Sequence, residues 1–243
     1  MERPRYGLID TLRGLAMVNV IVYHFFYDLT NFYGFNFMWF ESLPMYLVQQ
    51  GTVCLFVFIS GMMAHCAKQL TKNGLLLVGC GLLNFLVTYF FFPEFLIVFG
   101  ILSLLGWSAL ITHLLQPLLD RISAVYGATI CLMLFFMTHD VAEGNISILG
   151  NKIWEIPTAF YHSSFLFPLG LPNGDFFSAD YFPLLPWIFP YWLGYFCWQM
   201  TDEKLREKYF FRQFSGFAFM GRHSLLLYLS HQPIILAVTT LVF

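Results

Sequence analysis

The sequence predicts an all-α, polytopic membrane helix bundle: about seven transmembrane helices, an N-terminus on the cytoplasmic side, and one domain over 1–243. Three observations predict it. First, 58% of the 243 residues are hydrophobic and only 11% charged, against about 25% charged in a soluble domain. Second, seven apolar segments, roughly 14–33, 45–66, 74–92, 96–116, 122–138, 183–200 and 222–242, are long enough to span. Third, that topology puts eleven of the twelve Lys and Arg residues on one side and leaves Lys152 alone on the other. Such asymmetry marks the cytoplasmic face. It predicts N-in and C-out in a cytoplasmic, inner membrane.

The first span carries the chemistry. From Asp10 to Phe32 it reads DTLRGLAMVNVIVYHFFYDLTNF, apolar yet interrupted by Arg13, Asn19, His24, Asp28 and Asn31. A bilayer core accepts such groups only at a cost, so they mark function by default. His24, Asp28 and Asn31 stand at i, i+4 and i+7 and share one helix face. Arg13 lies eleven residues before His24, about 16 Å along the axis, and three turns return it to nearly the same face. The opposite side, with Leu15, Val18, Val22, Phe25 and Phe26, is left for lipid or packed neighbours. Arg3 and Arg5 before this span resemble the start of a signal peptide. No small-x-small cleavage site follows, so the segment is expected to be retained.

Further along, Gly79, Gly81, Gly100 and Gly106 in spans three and four fit close helix packing. The stretch 139–182, broken by Pro157, Pro168 and Pro172, is predicted to be an outer-side lid or re-entrant element; the alternative, an eighth span, would put the basic stretch 204–212 outside. Span six carries Pro183, Pro186 and Pro190, which remove backbone donors and kink helices. In span seven, GRHSLLLYLSHQPIIL, Arg222 sits at the inner edge and His231 nine residues deeper, at a depth like that of His24. The five cysteines are odd in number and form no C-x-x-C pair, so they read as small buried residues.

A carboxylate one turn from an imidazole can hold one ring proton and leave the other nitrogen as a base. His24 and Asp28 are therefore the candidate catalytic pair, against the structural alternative of a buried polar pair that pins helices. Arg13 is either a snorkelling anchor or a clamp for a cytosolic anion, since guanidinium matches phosphate geometry. A phosphate at Arg13 and a reactive group at His24 require a long thin linker, and the pantetheine arm of coenzyme A has about that reach, some three helical turns. His65, His113, His139, His162 and His223 read as packed or interfacial. No His, Cys and acid set has zinc spacing, so no metal is expected. Walker, dinucleotide and G-x-S-x-G motifs are absent. No basic patch with interleaved aromatics points to nucleic acid.

Arg13, ten residues, then His24 resembles the arginine-x10-histidine signature of the membrane acyltransferase-3 proteins. The longer string IDTLRGLAMVNVIVYHFFYDL is similar to a family of small bacterial membrane proteins related to the catalytic membrane domain of heparan-α-glucosaminide N-acetyltransferase. LFVFISGMM at 55–63, FFPEFLIVFGILSLLG at 91–106, SADYFPLLPW at 178–187 and GRHSLLLYLSHQP at 221–233 agree with it. The resemblance implies transfer of an acyl group, acetyl first among candidates, from cytosolic acetyl-CoA or another acyl-CoA to an extracytoplasmic glycan or lipid-linked sugar. It implies His24 as general base or transient acyl carrier, Asp28 as its orienter, and Arg13 and Arg222 as donor contacts. Asp180, His231 and Asn31 become acceptor contacts. The lysosomal enzyme's loop histidine has no counterpart, because no histidine stands between His24 and His65. The assignment of His24 therefore rests on the acyltransferase-3 signature. Two other classes stay in view: a proton-coupled transporter using the His-Asp pair as a relay, and a structural membrane protein without catalysis. The expected partners are the lipid bilayer, the sugar acceptor and, as an open alternative, a second copy of the chain.

Overall fold

The computed structural model describes residues 6–148, 150–212 and 214–242. Arg3 and Arg5 lie outside the described residues. Nine α-helices are described: α1 (Gly7–Asn31), α2 (Leu43–Cys66), α3 (Leu70–Phe91), α4 (Ile101–Leu119), α5 (Ala124–Met137), α6 (Leu184–Gln199), α7 (Glu203–Leu205), α8 (Ser215–Arg222) and α9 (Ser224–Val242). Six are long and apolar enough to cross a membrane: α1 to α4, α9, and α5 with the turns that continue it to Glu143. The sixth expected span is α6, of 16 residues. At 1.5 Å per residue it is about 24 Å long, short of a hydrocarbon core of about 30 Å. A multi-pass membrane protein follows from these helices. Their outward faces are apolar, as at Phe90, Phe91 and Leu241, which are 69, 73 and 87% exposed.

The chain divides into two compact units, Met1–Ile59 with Thr201–Phe243, and Ser60–Met200. In the first, α1 begins seven residues before the expected span. Polar Asp10, Thr11 and Arg13 depress the apparent hydropathy there, but Asp10 and Thr11 find partners, one of them local and two distant. Thr11 Oγ1 donates to the Gly7 carbonyl at 2.8 Å and itself accepts from the Phe214 amide at 3.1 Å. This start is held by a very close crossing of α1 and α8. A Cβ on Gly14 would strike the Phe217 carbonyl, and one on Gly221 would strike the Asp10 carbonyl. Only glycine lets two backbones approach so closely. Ile9, Met17 and Ala218 are buried.

The expected seventh span, 222–242, is the single helix α9, which starts two residues later than expected. Helix α8 ends at Arg222, His223 leaves helical geometry (φ −106°, ψ 18°), and α9 starts at Ser224. Helix α9 then runs parallel to α1. Arg222, just before it, meets Asp10 near the start of α1, and Thr240 near its end meets Tyr33 at 3.3 Å.

In the second unit, α3 packs on α4 and α5 on α6. Gly81 admits Ser103, and Gly106 admits Val78, as close packing requires. Gly79 faces open space. Helix α6 is tied to α4 by Trp192 Nε1, which donates to Thr112 Oγ1 at 2.9 Å, and by the Tyr195 hydroxyl, which donates to Asp120 at 2.6 Å. Tyr195, Phe196 and Trp198 are at most 2% exposed.

The stretch 139–182 contains no long helix among its described residues. It holds an antiparallel hairpin of β1 (Asn145–Ile148) and β2 (Asn151–Glu155), followed by short 3-10 turns. The Tyr161 hydroxyl donates to the Val141 carbonyl, and that of Tyr181 to the Phe167 carbonyl at 2.5 Å. Burial pushes both phenols up, so they remain donors. The expected helix from 96 starts instead at Ile101, because 96–99 is irregular backbone bonded to 178–182. Ala179 N donates to Leu96 O at 2.8 Å, and Phe182 N to Phe99 O at 2.9 Å. These backbone groups are paired here between two irregular segments rather than within a helix.

The α1–α8 crossing is tested by Gly221→Leu. It should lower the thermal midpoint in detergent sharply, since overpacking costs about 1–3 kcal/mol even without a backbone clash. Gly216→Ala, on the same helix with nothing within 4 Å of its Cβ position, should leave the midpoint unchanged or raise it. Equal midpoints for the two variants would refute the crossing.

Candidate active site

The ionisable groups of α1 meet those of α9 inside the first unit. His24 and His231 lie ring to ring, 4.9 Å between centroids with planes at 63°. They come from opposite ends of the chain, and the parallel course of the two helices gives them the common depth expected from the sequence. His24 is half-buried and also touches the rings of Tyr23 and Tyr27, at 5.7 and 6.4 Å. His231 is 7% exposed.

Asp28 is 0% exposed, and its hydrogen bonds do not run to His24. Gln232 Nε2 donates to both carboxylate oxygens, at 2.9 and 3.0 Å. The i, i+4 spacing puts Asp28 on the correct face, but the facing helix supplies a donor that reaches both oxygens together. A hydrogen bond to a charged group contributes about 1.5–3 kcal/mol, and losing one partner of a buried pair costs more than the pair is worth. The carboxylate therefore fixes the register of α9 against α1 and, through it, the histidine contact.

His231 is fixed by its own helix. Its Nδ1 lies 2.5 Å from the Tyr228 carbonyl, a group that can only accept, so Nδ1 carries the proton. In the neutral ring Nε2 then holds a lone pair. That atom is buried without a partner among the described residues, as is Gln232 Oε1. Pro233, next but one in the helix, has no amide hydrogen.

The other expected site residues lie as follows. Arg13 is a half-buried member of α1, about 16 Å along the axis from His24. Arg222 is at the same end, with Nε 3.8 Å from Asp10 Oδ2. That distance and partial exposure make the ion pair worth at most about 1 kcal/mol. Asn31 is turned onto its own helix, donating to the Tyr27 carbonyl at 2.9 Å from an exposed position. Asp180 belongs to the second unit. Its carboxylate packs against Gly100, the cap residue just before α4, where a negative charge meets the positive end of the helix dipole. Asn19 Nδ2 donates to Thr52 Oγ1 on α2 at 2.9 Å, beside a groove of about 240 Å³ lined by Leu15, Val48, Gly51 and Leu55.

Sequence reasoning missed Gln232 and Asp10 as partners. Gln232 had a signal: it follows His231 directly in an otherwise apolar helix, and a buried carboxylate elsewhere needed a donor. Of the remaining histidines, His65, His139 and His223 pack against Tyr195, Phe135 and Phe219. Of the cysteines, Cys131 is buried and the other four half-buried. No cluster of three or more His, Cys, Asp or Glu residues that could hold a metal occurs among the described residues.

Chemically, the arrangement places a proton acceptor, His231 Nε2, beside a second imidazole, with two arginines at one end of the same helices. A family model described as "Heparan-alpha-glucosaminide N-acetyltransferase, catalytic" matches residues 5–233. Among curated proteins and among solved structures, none matches the chain.

The Asp28–Gln232 pair is tested by unfolding in mixed micelles. Asp28→Leu should cost about 1.5–3 kcal/mol, because it leaves the Gln232 amide buried and unpaired. Asp28→Asn, which keeps one acceptor oxygen, should cost less. A Leu variant as stable as the parent would show that the pair does not hold α1 to α9.

Proposed function

The chain belongs to the heparan-alpha-glucosaminide N-acetyltransferase catalytic family, and on that premise we propose that it moves an acyl group, acetyl first among candidates, from cytosolic acyl-CoA to a carbohydrate or lipid-linked sugar on the other face of the cytoplasmic membrane. The observation that carries this reading is the contact of His24 with His231 at 4.9 Å, on the two helices whose common end bears Arg13 and Arg222.

On this reading the arginine end faces the cytoplasm and takes the phosphates of the donor, as guanidinium groups do. The pantetheine arm follows α1 for about three turns, about 16 Å, and delivers the thioester to His24. His24 then acts on the thioester carbonyl, as base or as transient acyl carrier. His231 stands beside it with its tautomer fixed. Asp28 holds the two helices in register through Gln232. Low dielectric around these groups strengthens each interaction with the developing charge. Asn31 and Asp180 remain proposed acceptor contacts, with the exposure of Asn31 in favour of a role at a rim.

The experiment is calorimetric titration of acetyl-CoA into the protein in nanodiscs, paired with thiol release in the presence of candidate sugars. Saturable binding is expected, weakened about tenfold or more by Arg13→Ala, as loss of a charge-assisted contact implies. His24→Ala should bind acetyl-CoA like the parent and release no thiol above background. Absence of acetyl-CoA binding by the folded parent would overturn the reading, and turnover in the His24→Ala variant would overturn the mechanism.

A further inference from the structure

Two side chains in the site can either donate or accept, and both are set the same way. The Gln232 carboxamide has an NH2 end and a carbonyl end. Its NH2 end lies on both oxygens of Asp28, and an ionised carboxylate accepts only. The carbonyl oxygen Oε1 is thereby turned away from Asp28, and it is buried with no donor among the described residues. One residue earlier, the Tyr228 carbonyl fixes the His231 proton on Nδ1 and leaves Nε2 buried, likewise with no donor among the described residues. Native structures rarely leave such atoms orphaned, because each costs about 1–3 kcal/mol. Among the described residues, two orphan acceptors thus stand on consecutive residues of α9, whose side chains meet Asp28 and His24 of α1.

Resting on the acyl-transfer reading, we infer that Gln232 positions the acceptor nucleophile: anchored by Asp28, its carbonyl oxygen receives one N–H or O–H of the acceptor while His231 Nε2 faces the hydrogen that is transferred. In the step, His24 has already taken the acyl group from the thioester as its transient carrier, and the coenzyme A thiolate has left with the imidazole proton. The lone pair of the acceptor atom X then attacks the acyl carbonyl carbon, the X–H proton passes to His231 Nε2, the C–N bond to His24 breaks, and the freed His24 nitrogen takes that proton. An acylated acceptor and free thiol are formed, with no oxidant or further reactant. Gln232 touches no bond that breaks, so it is a positioning residue. The same two acceptors disfavour an anionic group at this point, since neither offers it a proton.

Hydroxylamine serves as the test acceptor. It is small and neutral near pH 7, and it presents N–H and O–H donors to any position. With acetyl-CoA as donor, enzyme-dependent acetyl hydroxamate formation should show KM for hydroxylamine raised about tenfold in Gln232→Met, the equivalent of one lost hydrogen bond, with acetyl-CoA affinity changed less than about twofold. Asp28→Asn should have a similar effect, because its amide can turn Gln232 around and occupy Oε1. The exchange Asp28→Asn with Gln232→Glu restores both features: the amide now on α1 donates to one carboxylate oxygen on α9 and leaves the other as the free acceptor. It should recover the parental KM. A folded exchange variant that binds acetyl-CoA but keeps the raised KM would overturn the inference, as would an unchanged KM in Gln232→Met.

A second readout needs no turnover. In nitrogen-15 histidine spectra, with His231 assigned by its loss in His231→Leu, hydroxylamine alone should move the Nε2 signal in the parent and not in Gln232→Met. No shift in the parent would overturn the inference whatever becomes of acyl transfer. A shift without acetyl-CoA binding would sustain it and overturn the donor assignment alone.

Discussion

A carboxylate with no exposed surface in a membrane-spanning helix has to be answered by a donor, and Asp28 is answered by Gln232 alone among the described residues. The rest of the first unit follows from that requirement. The amide can reach both oxygens only when α9 lies parallel to α1 in one register. In that register His231, one residue before Gln232, meets His24, one turn before Asp28. The lipid solvent makes the constraint strict, because neither water nor a sliding register can satisfy the group at a comparable cost. The histidine contact is a consequence of where a buried carboxylate had to be hydrogen-bonded.

The glycine crossing at the other end of α1 complements this. Gly14 and Gly221 draw α8 against α1 so closely that the chain cannot continue as one helix, and the break at His223 re-aims it. Helix α9 is thus placed by two unlike forces. Backbone-to-backbone packing sets where it starts, and a charge-assisted hydrogen bond sets how far along α1 it sits. Arg222 ends up beside Asp10 and near the level of Arg13 because it is the last residue before the break. The cationic end and the imidazole pair are therefore held at a fixed separation by rigid helices, the condition that a donor of defined length imposes on any site that uses it.

Much of this is legible in the sequence, and the parts that are not share a cause. The membrane bundle, six of its long helices, and the common face of Arg13, His24 and Asp28 follow from periodicity and composition, which act within one helix. The similar depth of His24 and His231 follows from counting turns from the basic edge. What periodicity cannot supply is a partner on another helix. Proximity along the chain pairs Asp28 with His24, whereas its donor lies 204 residues away. The early start of α1 and the late start of α4 escape for a related reason. Hydropathy windows average over polar residues such as Asp10 and Thr11 that are satisfied by distant contacts. They also count Leu96 to Phe99 as helix, although this stretch pairs with 178–182. Asp180 reads as a free acidic residue before the prolines, and nothing local discloses that Gly100 leaves room for its carboxylate at the start of α4.

The 204-residue span of the Asp28–Gln232 bond has a bearing on biogenesis. Synthesis delivers α1 to the bilayer before α9. Throughout the interval, the young α1 holds an acidic side chain in lipid with its eventual donor still unmade. A lone charge of that kind makes a helix a poor lipid solute until it is matched. Helix α9 is then both a part of the candidate site and the element that lets α1 rest in lipid, so that a chain cut before Gln232 would lose both at once.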